Sequence, residues 1–220
     1  MSHDQMDEIK QSIRKGTTTV GIVCTDGIVL AADKRATFGG QIVADKKVDK
    51  VHKITDNIAL TIAGSVSDAH LVVKLLQAEL RLKYMRTSHQ PSVNEAVNLL
   101  GTIVYQNVRK FSTILAITAF VVGGTDNSGF HLYDVGIDGS VSKHDDFVSD
   151  GSGFMFATGV FETLYRKDIK VNEGIGLAVK AINAAIQRDT ASGEGVDVWT
   201  ITKTGAQKVL TKMVERKLEI

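Results

Sequence analysis

The 220-residue chain carries 26 lysines and arginines against 25 aspartates and glutamates, a formal charge of +1, and 43% hydrophobic residues. This balance provides no broad positive field for nucleic acid or an anionic membrane, and the apolar content is ample for a large core. The single cysteine, Cys24, excludes an internal disulfide framework and a cysteine-rich zinc site. The six histidines lack helical metal spacing, so we expect no metal and no cofactor. No apolar run approaches the roughly 18 residues of a membrane span.

The first 16 residues, MSHDQMDEIKQSIRKG, form a charged segment that lacks the apolar stretch of a secretory signal. An expression remnant, a tail and a pro-segment are all compatible with it. Three threonines, Thr17 to Thr19, follow Gly16 directly. Strands favour threonine, so this pattern alone predicts a strand entered through a glycine turn.

Short apolar runs at 17–24 and 28–32 flank Thr25-Asp26-Gly27, which predicts a β-hairpin. A further strand is expected at 58–63, ending before Gly64. Two long helices follow. The apolar stripe predicted for the first consists of Leu71, Leu75, Ala78, Leu82 and Met85. The second begins after Pro91 with a capping box, Ser92 and Glu95, and its predicted stripe consists of Val93, Val97, Leu100, Val104, Val108 and Phe111.

Strand patterns return after the second helix, with a turn at Asp138-Gly139 and then another helix pair. The remaining predicted strands are 116–122, 130–135, 196–202 and 207–210, and the remaining helices are 155–165 and 171–188. Alternating blocks of strands and helix pairs indicate an α+β fold. We expect a four-layer αββα sandwich, with two antiparallel sheets between helix pairs. Because no linker divides the chain, it is predicted to form one domain.

Two features have ordinary structural explanations. The glycine-rich segment 151–159 lacks the Gly-Lys-Ser/Thr ending of a P-loop, so we interpret it as a tight turn before a helix. Cys24 lies in an apolar strand and is predicted to be buried packing rather than a nucleophile. Charged and hydroxyl residues near strand ends, such as Asp33, Lys50 and Asp189, also fit turns or solvated positions when each is taken alone.

Taken together, these positions carry a resemblance. The matching segments, in chain order, are GTTTVGI, DGIVLAADKRAT, VDKVHKI, ALTIAGSVSDA, GSG at 151–153 and AIQRDTASGEGVDV. They span Gly16 to about Thr202. With these segments the chain resembles the proteasome β subunits of archaeal type, which are N-terminal nucleophile hydrolases and threonine peptidases.

The resemblance implies that the Gly16–Thr17 bond cleaves itself. Residues 1–16 would then be a propeptide, residues 17–220 the hydrolase domain, and Thr17 the N-terminal nucleophile. The free α-amine, with an ordinary pKa of about 7.7–8.0, would act as the base near the working pH. By position, Lys50 would be the cation that holds down the proton affinity of this amine, and Asp33 would pair with Lys50.

Further roles follow from the same resemblance. Gly64 would offer its backbone N–H to the oxyanion, and the supporting polar residues would be Ser152, Asp189 and Ser192. The substrate pocket would be lined by Ala36, Ile62 and Val66, with Thr37 aligning the peptide, which implies cleavage mainly after large apolar residues. Lys50 lies one residue farther from Thr17 than the family spacing, and we place this insertion at Gly39-Gly40.

The resemblance also implies partners: other β subunits in a seven-membered ring, homomeric or mixed, proteasome α subunits, unfolded protein substrates, and an unfoldase ATPase that acts through the α ring. A cytoplasmic location is expected, with no nucleic acid or membrane partner. Two other functions stay open. One is a non-catalytic structural β subunit of the same ring, which would be expected to lack Thr17, Asp33 or Lys50. The other is an N-terminal nucleophile amidohydrolase that acts on small molecules.

Overall fold

The computed structural model describes residues 16–38, 40, 42–111 and 116–214. The expected propeptide before Gly16 and Gly39 of the expected insertion lie outside these residues. The described strands, in chain order, are β1 (Thr18–Cys24), β2 (Gly27–Asp33), β3 (Ala36–Phe38), β4 (Ile42–Asp45), β5 (Val51–Lys53), β6 (Ile58–Gly64), β7 (Thr118–Asp126), β8 (Gly129–Val135), β9 (Val141–His144), β10 (Phe147–Gly151), β11 (Gly195–Thr202) and β12 (Gly205–Met213). The helices are α1 (Val66–Thr87), α2 (Val93–Val108), α3 (Phe154–Leu164) and α4 (Val171–Arg188).

Two five-stranded antiparallel sheets form the centre of the fold. The first has the order β10-β1-β2-β11-β12 and the second the order β5-β6-β7-β8-β9, while β3 and β4 form a separate hairpin. Strand β1, which follows Thr17, lies between β10 and β2, so Thr18 pairs with Gly151 and Thr19 with Ala32. The start of the predicted Thr-rich strand therefore lies inside a sheet.

Three buried apolar clusters separate four layers. One joins α1 and α2 to the second sheet, one joins α3 and α4 to the first, and the third lies between the sheets around Leu30, Val121 and Leu132. The predicted αββα sandwich is confirmed. Cys24 packs in the cluster under α3 and α4, and burial raises the pKa of its thiol to about 12, with Asp26 and Glu173 adding to the effect. The thiol therefore belongs to the core, as predicted.

The predicted buried stripe of α1 is wrong. Leu71, Leu75, Ala78, Leu82 and Met85 are all exposed, and the buried side chains are Ala69, Val72, Val73, Leu76 and Leu80. The helix has apolar residues on two faces at helical spacing, and periodicity alone does not say which face meets the sheet. In α2 the stripe is confirmed from Val93 to Val104, but Phe111 lies beyond the helix end and is exposed.

Several local predictions are confirmed. The capping box of α2 is present, with Ser92 Oγ accepting from Glu95 N and Ser92 N donating to Glu95 Oε2. The glycine-rich segment forms a turn after β10 and before α3. Sequence periodicity missed β3, β4, β5, β9 and β10, which have three to five residues each. In the described part of the chain, no helix has the length and apolar character needed to cross a membrane.

Candidate active site

The centre of the candidate site is a contact among Thr17, Lys50 and Asp33. Lys50 Nζ donates to Thr17 Oγ1 at 2.6 Å and to Asp33 Oδ1 at 2.7 Å. All three residues are buried, with exposed fractions of 5%, 3% and 1% in the order Thr17, Lys50, Asp33. Thr17 and Asp33 lie at ends of the first sheet, whereas Lys50 immediately precedes β5 of the second. The site is therefore built where the two sheets meet.

Each oxygen of the Asp33 carboxylate accepts two hydrogen bonds. Its Oδ1 accepts from Lys50 Nζ and from Thr18 N at 2.9 Å, and its Oδ2 accepts from Arg35 N at 3.0 Å and Gly193 N at 2.9 Å. A buried carboxylate is tolerated when it is paired and hydrogen-bonded in this way. Asp33 is therefore a fixed anchor for the Lys50 ammonium.

The environment of Lys50 favours its neutral form more than water does. Burial lowers the pKa of Lys50, while the Asp33 carboxylate raises it and only partly offsets the effect. With its Nζ at hydrogen-bond distance from Thr17 Oγ1, Lys50 can exchange a proton with this hydroxyl. This is a role that the sequence did not suggest, since there Lys50 was expected only as a cation.

Ser152, Asp189 and Ser192 come together next to this group. Ser152 Oγ and Ser192 Oγ both donate to Asp189 Oδ2, at 2.5 and 2.6 Å. Thr17 N donates to Ser152 Oγ at 3.3 Å, which connects the cluster to the nitrogen beside the hydroxyl. The three residues expected from the resemblance thus form one cluster, and Ser152 connects it to the backbone of Thr17 rather than to its hydroxyl.

Position 16, directly before Thr17, has room only for a glycine. A Cβ on Gly16 would lie 1.6 Å from Ala191 Cβ and 2.8 Å from Ala191 O. Real Cβ atoms do not approach backbone or side chains this closely, so another residue would displace the Gly16–Thr17 bond or the loop after α4. The glycine fits the bond against this loop.

The other expected site residues lie on neighbouring elements. Gly64 ends β6 with φ +98°, and a Cβ there would lie 2.2 Å from Ile117 O, so a glycine is needed. Ile62 N donates to Lys50 O at 2.8 Å, but its side chain is 3% exposed and packs with the α1–α2 core. Ala36 and Thr37 are in β3, and the partly exposed Val66 begins α1. Ile62 can therefore form only the floor of a pocket.

Comparisons with known proteins identify the family of the chain. A family model described as "Proteasome subunit" matches residues 13–201. The chain is 40% identical to "Proteasome subunit beta" of Ferroglobus placidus over 96% of this chain and 98% of the relative. It is 43% identical to "Proteasome subunit beta" of Methanocaldococcus fervens over 94% and 90%, and 46% identical to "Proteasome subunit beta 2" of Pyrococcus abyssi over 89% and 91%. The chain belongs to the proteasome subunit family. The resemblance to the archaeal β subunits is confirmed.

Two residues of this proteasome subunit support the site although sequence reasoning gave them no role. Arg35 Nη1 donates to Thr190 O at 2.8 Å and Arg35 Nη2 to Glu194 Oε1 at 2.7 Å, while its guanidinium lies against Gly193. Arg35 thereby holds the loop that carries Ser192 and Gly193. The sequence shows an arginine close to Asp33, but its partners lie about 160 residues further along the chain, so these contacts could not be predicted from the sequence.

The second is Thr18, which points away from Thr17 because strand side chains alternate. Its hydroxyl lies 2.7 Å from Ser192 Oγ, and its backbone N–H donates to Asp33 Oδ1. In this proteasome subunit Thr18 therefore links Asp33, which binds Lys50, to Ser192 and through it to Asp189. The threonine run at the start of β1 places hydroxyls on both faces of the strand.

Proposed function

We propose that the chain is a catalytic β subunit of a 20S-type proteasome, a threonine endopeptidase whose nucleophile is the Thr17 hydroxyl. The observation that carries this proposal is the 2.6 Å contact between Lys50 Nζ and Thr17 Oγ1, with Asp33 bound to the same ammonium. A hydroxyl is a weak nucleophile until a neighbouring base takes its proton. Here one buried amine is held against it by a fixed carboxylate.

Self-cleavage would come first, because Thr17 N is an amide until the bond to Gly16 breaks. The neutral fraction of Lys50, which burial increases, takes the proton of Thr17 Oγ1, and the oxygen attacks the Gly16 carbonyl carbon. The C–N bond then breaks as the nitrogen gains the proton, which leaves an ester between Gly16 and Oγ1. Water hydrolyses this ester, releases residues 1–16 and frees both the hydroxyl and the amine of Thr17. Glycine at position 16 gives the backbone freedom for this approach.

In the mature subunit the new α-amine would be the general base. Its ordinary pKa of about 7.7–8.0 is close to neutrality, and a Lys50 ammonium nearby disfavours its protonated form. Its position beside Ser152 Oγ, where Thr17 N already lies, connects it to the Asp189 cluster. The amine takes the hydroxyl proton during attack on a peptide carbonyl and returns it to the leaving amine. Water then completes hydrolysis of the ester.

Substrate binding follows from the elements around the nucleophile. The Gly64 N–H would stabilise the oxyanion, since a fixed backbone donor costs no reorganisation. Thr37 would align the peptide as an added strand, and Ala36, Ile62 and Val66 would receive the side chain before the cut. Burial of apolar surface contributes about 25 cal/mol per Å², whereas a charged side chain would lose hydration. We therefore propose cleavage mainly after Leu, Phe or Tyr, which a fluorogenic peptide panel varied at that residue measures.

Assembly belongs to the same proposal. The subunit would form seven-membered β rings stacked with α-subunit rings, so that the active threonines face an enclosed chamber. An unfoldase ATPase would deliver unfolded chains through the α ring, while hydrolysis itself needs no ATP. The propeptide would keep the peptidase inactive until the chamber closes. Mixing the isolated precursor with α subunits should trigger both processing and activity, whereas full activity of a monomer in sedimentation experiments would contradict this step.

The test compares wild type, Thr17→Ser and Thr17→Ala in the assembled particle, by intact-mass spectrometry and peptide hydrolysis. Wild type should lose residues 1–16 and be active, the serine variant should retain part of both properties, and the alanine variant should have neither. Loss of the leader from the alanine variant without another protease would contradict the proposed nucleophile. Stable rings without any Thr17-dependent hydrolysis would favour the alternative, a non-catalytic structural β subunit.

A further inference from the structure

Lys50 reaches Thr17 from a segment that has no regular structure. Residues 46–50 lie between β4 and β5 outside any helix or strand. Two backbone hydrogen bonds hold this segment: Val48 N donates to Lys34 O at 3.1 Å, and Ile62 N donates to Lys50 O at 2.8 Å. A lysine side chain has four rotatable bonds, so its ammonium is placed accurately only if its backbone is fixed.

The same segment is joined to β2 by two crossed ion pairs. The chain contains Asp33-Lys34 at the end of β2 and Asp49-Lys50 before β5. Lys50 pairs with Asp33 at 2.7 Å, and Lys34 pairs with Asp49 at 3.1 Å. Each Asp-Lys dipeptide therefore supplies the acid for one pair and the base for the other. This reciprocity ties two adjacent residues of the segment to the last residue of β2 and the residue that follows it.

The second pair is itself anchored in the core of the first sheet. Lys34 is 5% exposed and donates to Asp197 Oδ2 at 2.6 Å, while Asp197 Oδ1 accepts from Thr211 Oγ1 at 2.6 Å. Lys208 approaches from β12, with its Nζ 3.1 Å from Asp49 Oδ1 and 3.2 Å from Asp197 Oδ2. Asp49 Oδ1 thus lies between the ammonium groups of Lys34 and Lys208, and Lys34 is itself fixed by Asp197.

We propose that Asp49 is a positioning residue for Lys50: clamped by Lys34 and Lys208, it fixes the segment that places the Lys50 ammonium against Thr17. Asp49 does not touch Thr17 and is not a catalytic residue. Its carboxylate prevents the segment from sliding along β2, because movement of Asp49 would break contacts with both lysines. Misplacement of a reacting group by about 1 Å can cost on the order of 100-fold in rate.

Asp49 and Lys34 stabilise each other in their charged forms. Partial burial raises the pKa of Asp49, but the hydrogen bonds from Lys34 and Lys208 outweigh it and the pKa lies well below its ordinary value. Burial alone lowers the pKa of Lys34, yet the bonds to Asp197 and Asp49 raise it above its ordinary value. Asp49 and Lys34 therefore stay charged near neutrality, and loss of their pair is expected to change the rate at every pH tested.

The inference rests on the proposed function, because its kinetic test measures Thr17-dependent hydrolysis. The variants are Asp49→Ala, Asp49→Asn and Asp49→Glu in the full chain, assembled with α subunits and scaled by titrating the active sites with a covalent inhibitor. We expect kcat per titrated site to fall roughly tenfold for alanine and about threefold for asparagine, with glutamate near wild type. KM should change little, because Asp49 is not among the proposed pocket residues.

A matched control is Asp56→Asn. Asp56 pairs with Lys53 at 2.8 Å and its side chain is 87% exposed, against 62% for Asp49. Both substitutions remove an exposed carboxylate that pairs with a lysine, and because Lys34 keeps its contact with Asp197, both should leave Tm within about 2 °C of wild type. Only the Asp49 variants should lower kcat. Equal effects at both positions would overturn the proposal, as would a loss explained entirely by fewer titrated sites.

A crystal structure of the Asp49→Ala particle provides a readout that does not depend on activity. We expect Lys50 Nζ to lie more than about 3.5 Å from Thr17 Oγ1, or to occupy several positions, since the contact no longer meets hydrogen-bond geometry beyond that distance. An unchanged 2.6 Å contact would overturn the proposal. If wild type shows no Thr17-dependent hydrolysis, the proposed function fails while the structure still decides the role of Asp49. If wild type is active and Asp49→Ala is equally active, only this inference fails.

Discussion

Two groups of buried or half-buried carboxylates in this molecule differ in their hydrogen-bond and ion-pair partners. At the candidate active site, Asp33 accepts four hydrogen bonds, one of them from the Lys50 ammonium. Asp134, on the inner strand β8 of the second sheet, and Asp150, on the edge strand β10 of the first, are half-buried and form no ion pair with a lysine or arginine among the described residues. Asp150 Oδ2 and the nearby His144 Nε2 have no hydrogen-bond partner within the part of the chain that the structure describes.

The electrostatic consequence differs accordingly. Burial, together with the charges of Asp150 and Asp138, raises the pKa of Asp134 to about 6, although His144 opposes the change. Burial also raises the pKa of Asp150, which a hydrogen bond from Gly151 only partly offsets. Asp134 and Asp150 are therefore shifted towards their neutral forms, whereas Asp33 is surrounded by hydrogen-bond donors. Burial alone does not make a carboxylate functional, and the partners determine what it can do.

The largest expected effect comes from removing the cation at the active site. Lys50→Met should reduce peptide hydrolysis by at least about 1,000-fold, because it removes the group that activates Thr17 and leaves Asp33 buried without its counter-ion. Because Lys50 is proposed to act in both processing and turnover, both should be lost, which mass spectrometry and hydrolysis assays measure. Lys53→Met, which removes an exposed lysine from the same segment of chain, is the control and should be active.

Gly16→Ala should slow self-cleavage by roughly 100-fold, because a methyl group at this position overlaps Ala191 and displaces the bond that reacts. The time course of leader loss in assembling particles gives the rate. A separately expressed chain that begins at Thr17 is the control, since it lacks residue 16 and should be fully active. Wild-type processing of the Gly16→Ala precursor would show that the packing against Ala191 is irrelevant to the reaction.

Thr18→Val should reduce kcat roughly tenfold with little change in KM. The substitution keeps the shape of the side chain but removes the hydroxyl that contacts Ser192 Oγ at 2.7 Å, so the Asp189 cluster loses one link. The Thr18 backbone bond to Asp33 should persist, because it needs no hydroxyl. If turnover is unchanged, the link between the second threonine and the cluster is only structural.

The smallest effect is expected at Asp134 on β8 and concerns stability alone. Because folding raises the pKa of Asp134 from 3.8 to about 6, its ionised form is disfavoured in the folded state. Asp134 therefore costs no stability below about pH 4, and its cost grows until about pH 6. Asp134→Asn should raise Tm by roughly 2–4 °C at pH 7, after a discount for solvent exposure, and by nothing at pH 4.

Thermal unfolding at both pH values measures this effect, with Asp145→Asn as the control because the Asp145 side chain is 90% exposed. Peptide hydrolysis should be the same in all three proteins at pH 7. A stabilisation that is equal at pH 4 and pH 7 would mean that the titration of Asp134 is not its cause.

The sequence predicted the layers of this fold well because hydrophobic periodicity reports burial directly. The strands β1, β2, β6 and β8, the helix α4 and the capping box of α2 followed from local patterns. It failed on α1, where two apolar faces compete and the second sheet decides between them. It also missed the short strands such as β5, whose three residues are too few to show a period.

The candidate site could be predicted only in part, because local sequence patterns do not show which distant residues come together. Asp33, Lys50 and Ser152 were found through the resemblance, not through spacing, because they come together from distant parts of the chain. The crossed pairing of Asp33-Lys34 with Asp49-Lys50 cannot be read from the sequence, since it depends on how β2 and the segment before β5 are registered. The lowered pKa of Lys50 likewise depends on burial, which a lysine between apolar residues does not reveal.

The identity of the nucleophile is measured most directly by labelling the assembled particle with a peptide vinyl sulfone. Tandem mass spectrometry then shows which residue carries the label, and we expect Thr17. Such an electrophile forms a stable bond with the attacking atom. We expect one adduct, on Thr17, in a chain that begins at residue 17. An adduct on another residue such as Ser152, or on a chain that still carries residues 1–16, would contradict it.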